Sequence, residues 1–312
     1  MKAIAAFFIT WFHFKWFVPS HFAPLFVGGA FGNSLFFFCS GYLLKFREEK
    51  YFGQWILAKY LRLMPVVWVT FTLCCVTHFY TDCRWEPTSF RQWILPEYYW
   101  FVCSILLYYL ICWICRRFLF NKNCRKNTVI MIVVTCVIQV LWYFLLCDTT
   151  NVNIDEGYIK AWYFFAFFLW GYYCKLKQTD HNKQKWGILF APLILGLFFV
   201  YKYISANNFY FAYWQVLFVP LLLCFVIMSF RELAYLLTSV RVPILLKQMI
   251  IFISNITLEI YIVQIHVLEF VMPRVLFPYN ILVSIFFILL FAYLVHKSVD
   301  FMSKWLKVYC GF

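Results

Sequence analysis

Acidic side chains are scarce in this sequence: Asp and Glu number 13 in 312 residues, and charged residues of both signs make up only 13%. Soluble globular domains carry about 25% charged residues. The shortage excludes a soluble enzyme, a disordered chain and a disulfide-rich secreted domain. No Gly/Ser linker, low-complexity tail or internal repeat is visible, so residues 1–312 read as a single domain. No metal site is read in the chain.

What is abundant is apolar. Hydrophobic residues make up 65% of the chain and aromatic ones 24%, with 40 Phe, 22 Tyr and 14 Trp. Mean hydropathy is +0.78. Trp and Tyr favour the membrane–water interface and Phe suits the lipid face. The class is therefore all-α, a polytopic integral membrane helical bundle. At about 30 residues per span plus loop the length allows about ten spans. Apolar windows place them at 3–19, 24–44, 64–81, 98–118, 128–147, 158–175, 186–204, 209–229, 251–272 and 280–302. The first window has no small-residue cleavage site, so it does not read as a signal peptide.

Net charge is +14, from 27 Lys and Arg. The positive residues sit in short clusters between apolar runs, which argues for membrane topology and against nucleic acid. The loops 45–63, 116–127, 175–185 and 230–250, with Lys2 and the C-terminal lysines, hold 21 of them; the other side holds six. The positive-inside rule puts the first group in the cytoplasm. Both termini are then cytoplasmic, which an even number of spans satisfies.

The cysteine count is 13, mostly within apolar runs, where a thiol serves as a small packing residue. Cys112-Trp-Ile-Cys115 has redox spacing but no βαβ context. Cys83 and Cys147 fall in loops on one side of the expected topology, where they would be able to pair.

Ionisable residues inside spans are costly and mark function, unless a neighbouring helix satisfies them. Here they are His13, Glu259, His266 and Glu269, with His296 near a span end. Lys2 lies eleven residues before His13, about 16 Å along a helix and only ~20° away around it. One face then carries a cation at the membrane surface and an imidazole near its middle, suited to holding phosphate and removing a proton. Glu259 and His266, seven apart, also share a face. The second window carries small residues at Gly28, Gly29, Gly32, Ser40 and Gly41, which let backbones approach closely.

Several runs together resemble membrane acyltransferase family three, multi-pass bacterial enzymes that acylate exported glycans and lipids. Lys2 with His13 resembles the family's first-helix Arg-x10-His. Leu35-Phe-Phe-Phe-Cys-Ser-Gly-Tyr-Leu43 is similar to its Phe-Phe-x-x-Ser-Gly run, and Lys59-Tyr-Leu-Arg62-Leu-Met-Pro65 to its Arg-x-x-Arg-x-x-Pro. Tyr99-Trp100-Phe101 with Tyr108, Phe167-Phe-Leu-Trp-Gly171 and Ser254-Asn-Ile-Thr-Leu-Glu-Ile-Tyr261-Ile-Val-Gln264 resemble later elements. The likeness covers essentially the whole chain. It departs from the pattern at Lys2 and Lys59, where Lys replaces Arg and loses the bidentate fork. It departs again at Gln264, which stands where many members have His. The chain begins one residue before Lys2, which allows a start codon placed too late. It carries no appended soluble domain, so a multi-step transfer would need a separate protein.

The resemblance implies an O-acyltransferase of the cell (inner) membrane. Its donor would be acyl-CoA, acetyl-CoA first, and its acceptor a hydroxyl of an exported glycan or a lipid-linked molecule in the bilayer. Lys2, Lys59 and Arg62 would hold the CoA phosphates. His13 would be the general base, with Glu259 orienting a His or binding sugar hydroxyls. Ser40 and Tyr42 are oxyanion candidates. Tyr261, Gln264 and His266 are substrate-side candidates. An oligomer is allowed. The competing reading is a transporter or flippase, with His and Glu as proton relays.

Overall fold

The computed structural model describes residues 1–26, 28–45, 51–77, 93–96, 98–119, 123–146, 159–177, 186–239 and 243–310. Cys83 and Cys147 lie outside them. All regular elements among the described residues are helical. They are α1 (Lys2–His13), α2 (Gly29–Tyr42), α3 (Phe52–Thr77), α4 (Trp100–Ile114), α5 (Arg116–Leu119), α6 (Cys124–Leu146), α7 (Ile159–Lys177), α8 (Trp186–Asn207), α9 (Phe209–Ser239), α10 (Ile244–Asn255), α11 (Thr257–Val271) and α12 (Tyr279–Cys310).

Each of the ten apolar windows overlaps a helix, but not all are long spans. Among the described residues, four helices are long and apolar enough to cross a bilayer: Phe52–Val76, Cys124–Leu146, Phe209–Ser229 and Tyr279–Lys304. A fifth is the pair α10–α11, bent by 73° at its junction. The chain is thus a multi-pass helical membrane protein.

The first window is the clearest correction. The helix expected over 3–19, with His13 at its centre, stops at His13 after 12 residues. That is about 18 Å, well short of a bilayer core of roughly 30 Å. A 3₁₀ turn, Phe14–Trp16, follows directly. Pro19 then disfavours helical geometry at Val18. His13 therefore sits at a helix terminus.

The chain divides into two compact units. The first comprises Met1–Ile9, Val27–Phe46 and Ile114–Ile251. Its centre is the crossing of α2 and α7. A Cβ on Gly41 would strike the carbonyl oxygen of Phe168, and a Cβ on Gly171 would strike that of Phe38. The two glycines are reciprocal: each admits the backbone one turn before the other. Gly28, at φ 112°, opens α2 in the left-handed region that other residues avoid. Gly32 lies under Ile9 and the Ala5 carbonyl, which seats the first part of α1 on α2.

Polar side chains next to helix ends in this unit satisfy terminal carbonyls. Lys175 donates to the carbonyl of Leu44, just past α2. Arg125 donates to Leu176 near the end of α7 at 3.2 Å, and Asn127 to Phe118 of α5 at 2.6 Å. Cations there complement the negative end of the helix dipole. Part of two of the basic clusters that mark topology, 116–127 and 175–185, thus also meets helix-end carbonyls.

The second unit comprises Thr10–Phe26, Arg47–Trp113 and Phe252–Phe312. Here α3, α11 and α12 pack on one another. The segment before α4 is pinned to α3: Tyr60 donates to the Ile94 carbonyl and Trp68 Nε1 to the Trp93 carbonyl, each at 2.7 Å. At the α10–α11 junction the Thr257 hydroxyl lies 2.8 Å from the Ile253 carbonyl and 3.1 Å from that of Ser254. A helix breaks at membrane depth only where such groups find partners.

Candidate functional site

In the second unit, α11 is the polar spine. It carries Glu259, Tyr261, Gln264 and His266, and helical geometry sorts them onto two sides. Glu259 and His266 lie ~20° apart, whereas Gln264 is ~140° from Glu259 and Tyr261 ~160° from it.

The Gln264 side meets the end of α1. The Thr10 hydroxyl donates to Gln264 Oε1 at 2.7 Å. Thr10 stands three residues before His13, hence one turn away on the same helix. Gln264, the departure from the family pattern, is thus a partner of the helix end that bears the candidate base. Thr10 escaped sequence reasoning; its one signal is its i−3 spacing from His13. Tyr261 packs its ring on Phe101 of α4, centroids 5.0 Å apart.

The other side meets α12 and the start of α4. Glu259, in the first turn of α11, accepts from His296 at 2.7 Å between Oε1 and Nδ1. Nε2 of the same imidazole is 3.6 Å from Asp300, so buried carboxylate, imidazole and exposed carboxylate form a chain. The second oxygen of Glu259 is buried without a hydrogen-bond partner. His296, one turn from Asp300 on α12, is the imidazole that meets Glu259.

His266 is buried, and its Nε2 lies 2.6 Å from the Tyr99 hydroxyl, also buried. The Tyr99 ring stacks on Phe71 of α3, which fixes its direction. His266 lines a cavity of about 70 Å³ with Thr70 and Cys74 of α3 and Phe291 of α12. The Thr70 hydroxyl is turned away from it by a 2.8 Å bond to the Val66 carbonyl.

Lys59 and Arg62 stand one turn apart on α3. The Lys59 ammonium lies over two rings, 5.5 Å from Trp55 and 5.1 Å from Tyr109. Arg62 is exposed. The cation–π contacts hold one charge in place and leave the other in solvent.

Lys2, Ser40 and Tyr42 lie in the first unit. Lys2 opens α1 and is half-buried. The Ser40 hydroxyl donates to the Phe36 carbonyl at 3.0 Å, so its proton is already spent within α2. Tyr42 ends α2 and is 45% exposed. Cys112 and Cys115 are not joined by a disulfide. Among the described residues, no group of three or more His, Cys, Asp and Glu is placed to hold a metal ion.

No curated protein and no solved structure matches the chain. A family does: residues 1–297 match acyltransferase family 3, described as an acyltransferase domain. With the match running from the first residue through α11 and most of α12, this chain belongs to acyltransferase family 3 and is a membrane acyltransferase.

Proposed function

We propose that the protein moves an acyl group from cytoplasmic acyl-CoA to a hydroxyl of an exported glycan, glycolipid or similar acceptor, with His13 as general base. The observation that carries this reading is the end of α1. An imidazole terminates a helix whose previous turn is hydrogen-bonded to Gln264, within a family of acyltransferases. In the reaction the acceptor O–H gives its proton to His13. The oxygen then bonds the thioester carbonyl carbon, the C–S bond breaks, and the CoA thiolate leaves and takes up the proton. Lys2, Lys59 and Arg62 neutralise the CoA phosphates. Tyr42 or Ser40 donates to the developing oxyanion, Ser40 only after releasing the Phe36 carbonyl. Ten spans with both termini cytoplasmic, in the inner membrane, agree with the 21-to-6 split of Lys and Arg.

A transporter would share one feature, the broken helix α10–α11. Inverted repeats would require a matching break in the other half, and among the described residues the bent pair stands once.

The test supplies isotope-labelled acetyl-CoA to inside-out vesicles and reads surface glycans and lipids by mass spectrometry. Labelled ester that depends on intact His13 is the expected result. Transport of an intact molecule with no ester formed would overturn the reading.

A further inference from the structure

Helix α10 has 12 residues and none of them is buried. Its exposed side chains are nonetheless large and apolar: Ile244 is 76% exposed and Leu245 71%. Around the helix the residues sort by character. Lys247, Gln248, Ser254 and Asn255 fall within an arc of ~120°, which Ile244 and Ile251 share. Leu245, Leu246, Met249, Ile250, Phe252 and Ile253 fill ~160° of the other side. A helix with one broad apolar arc and one polar arc suits a membrane surface, where each side meets its own medium.

The direction of α10 agrees. Its 12 residues rise about 18 Å, and at 73° to α11 they advance only about 5 Å along the axis of α11. Membrane-crossing helices tilt by about 20° on average. With α11 across the bilayer, α10 therefore runs close to the membrane plane. The rise of α11, about 22 Å, and the slope of α10 together come near the roughly 30 Å of the hydrocarbon core.

The level agrees as well. Phe252, in the last turn of α10, meets the ring of Tyr293 on α12, centroids 5.9 Å apart. The Lys297 ammonium lies 5.5 Å from the same ring, and Asp300 is exposed. From Tyr279 to Val295 α12 carries no charged residue, so Lys297 stands about 27 Å along the helix from its start. That is the far edge of the hydrocarbon, and Tyr beside Lys is the usual pair there. Lys247 belongs to the basic cluster 230–250, and basic segments at a membrane surface attract anionic headgroups.

We propose that α10 is an interfacial helix seated on anionic phospholipid. Its apolar arc lies among the upper acyl chains, at the level of Tyr293 and Lys297, and Lys247 meets lipid phosphates. The crossing is then made by α11, and α10 bounds it. Gln264, seven residues beyond Thr257, stands about 11 Å deeper. The seat of α10 thus sets the depth at which Gln264 meets Thr10. It is independent of the chemistry at His13.

The test places a spin label at Leu245, Lys247, Met249 and Ser254 in turn, through a keto amino acid that leaves the cysteines in place. The full chain is held in nanodiscs of phosphatidylcholine with phosphatidylglycerol. None of these positions is buried, so the labelled chains should insert at wild-type levels. Depth is read from relaxation by oxygen, which enters lipid, against a nickel chelate, which stays in water. Leu245 and Met249 should read about 5–10 Å below the headgroups and Lys247 and Ser254 among them, so that depth follows the helical turn. A steady gain from Leu245 to Ser254, about 14 Å in all, would make α10 half of a broken span and overturn the proposal. Equal access of the chelate to all four labels would overturn it too, by placing α10 in water. Lys247→Glu tests the lipid partner. The Met249 label should move outward in nanodiscs with phosphatidylglycerol and stay in place in phosphatidylcholine alone. The same response in both lipids would overturn the anionic surface as the partner of α10.

Discussion

Nδ1 of His296 stands 2.7 Å from Oε1 of Glu259, joining the last long helix to the first turn of α11 just past the 73° bend. The pair bridges elements that are 37 residues apart in the chain. Removing one side leaves the other half-satisfied. Glu259→Ala should therefore lower stability by about 1–3 kcal/mol, the cost of losing a hydrogen bond to a charged group. Glu259→Gln, which can still accept from His296, should lose less. In a double-mutant cycle with His296→Ala the effects should be non-additive. Thermal unfolding in detergent measures this; additive losses would mean that the two residues act separately.

His13 carries the chemical claim. A general base contributes about 10²–10⁴-fold to rate, so His13→Ala should lower acyl transfer by at least that range's lower bound while the protein still inserts. His13→Gln keeps polarity without basicity and should be nearly as inactive. If Gln restores transfer at normal membrane levels, His13 is a packing residue and the chemistry moves to His266 on α11.

Lys59 and Arg62 should separate in experiment because their surroundings differ. Arg62 is exposed, so Arg62→Ala should weaken acyl-CoA binding by about 1–3 kcal/mol with little change in stability. Lys59 is packed over Trp55 and Tyr109, so Lys59→Ala should lower both binding and stability. Binding by calorimetry and unfolding in detergent give the two readouts. Unchanged acyl-CoA affinity in both variants would remove the phosphate assignment.

Gly41→Ala and Gly171→Ala should each destabilise the first unit, because the new methyl group meets a helix carbonyl rather than a movable side chain. Overpacking costs about 1–3 kcal/mol and more where backbone must shift. Gly53→Ala and Gly196→Ala, with nothing within 4 Å of the new Cβ, should be neutral or stabilising by up to about 1 kcal/mol. Membrane level and detergent half-life distinguish the two pairs.

The helical class was legible from composition, because a bilayer leaves the backbone few ways to satisfy its polar groups. The positions of the apolar windows were legible for the same reason, and the family from motifs spread along the chain. Helix length was not. A window over 3–19 looks like a span, yet α1 stops at His13, since hydropathy averages over a terminus that a 3₁₀ turn and Pro19 impose. The bend at Ile256 was equally hidden: it depends on the Thr257 hydroxyl meeting the carbonyls of Ile253 and Ser254.

Partnership was the larger gap. Residue spacing placed Glu259 with His266 on one face of α11, and they do share it. But each pairs away from the other, Glu259 with His296 and His266 with Tyr99. Periodicity reports which side of its own helix a residue occupies. Which neighbour waits on that side depends on how the helices pack, here on how α3, α11 and α12 meet in the second unit. Sequence alone therefore settled the membrane, the helices and the family; the pairing of Thr10 with Gln264, of Glu259 with His296 and of His266 with Tyr99 arose only when packing brought distant residues within hydrogen-bond reach.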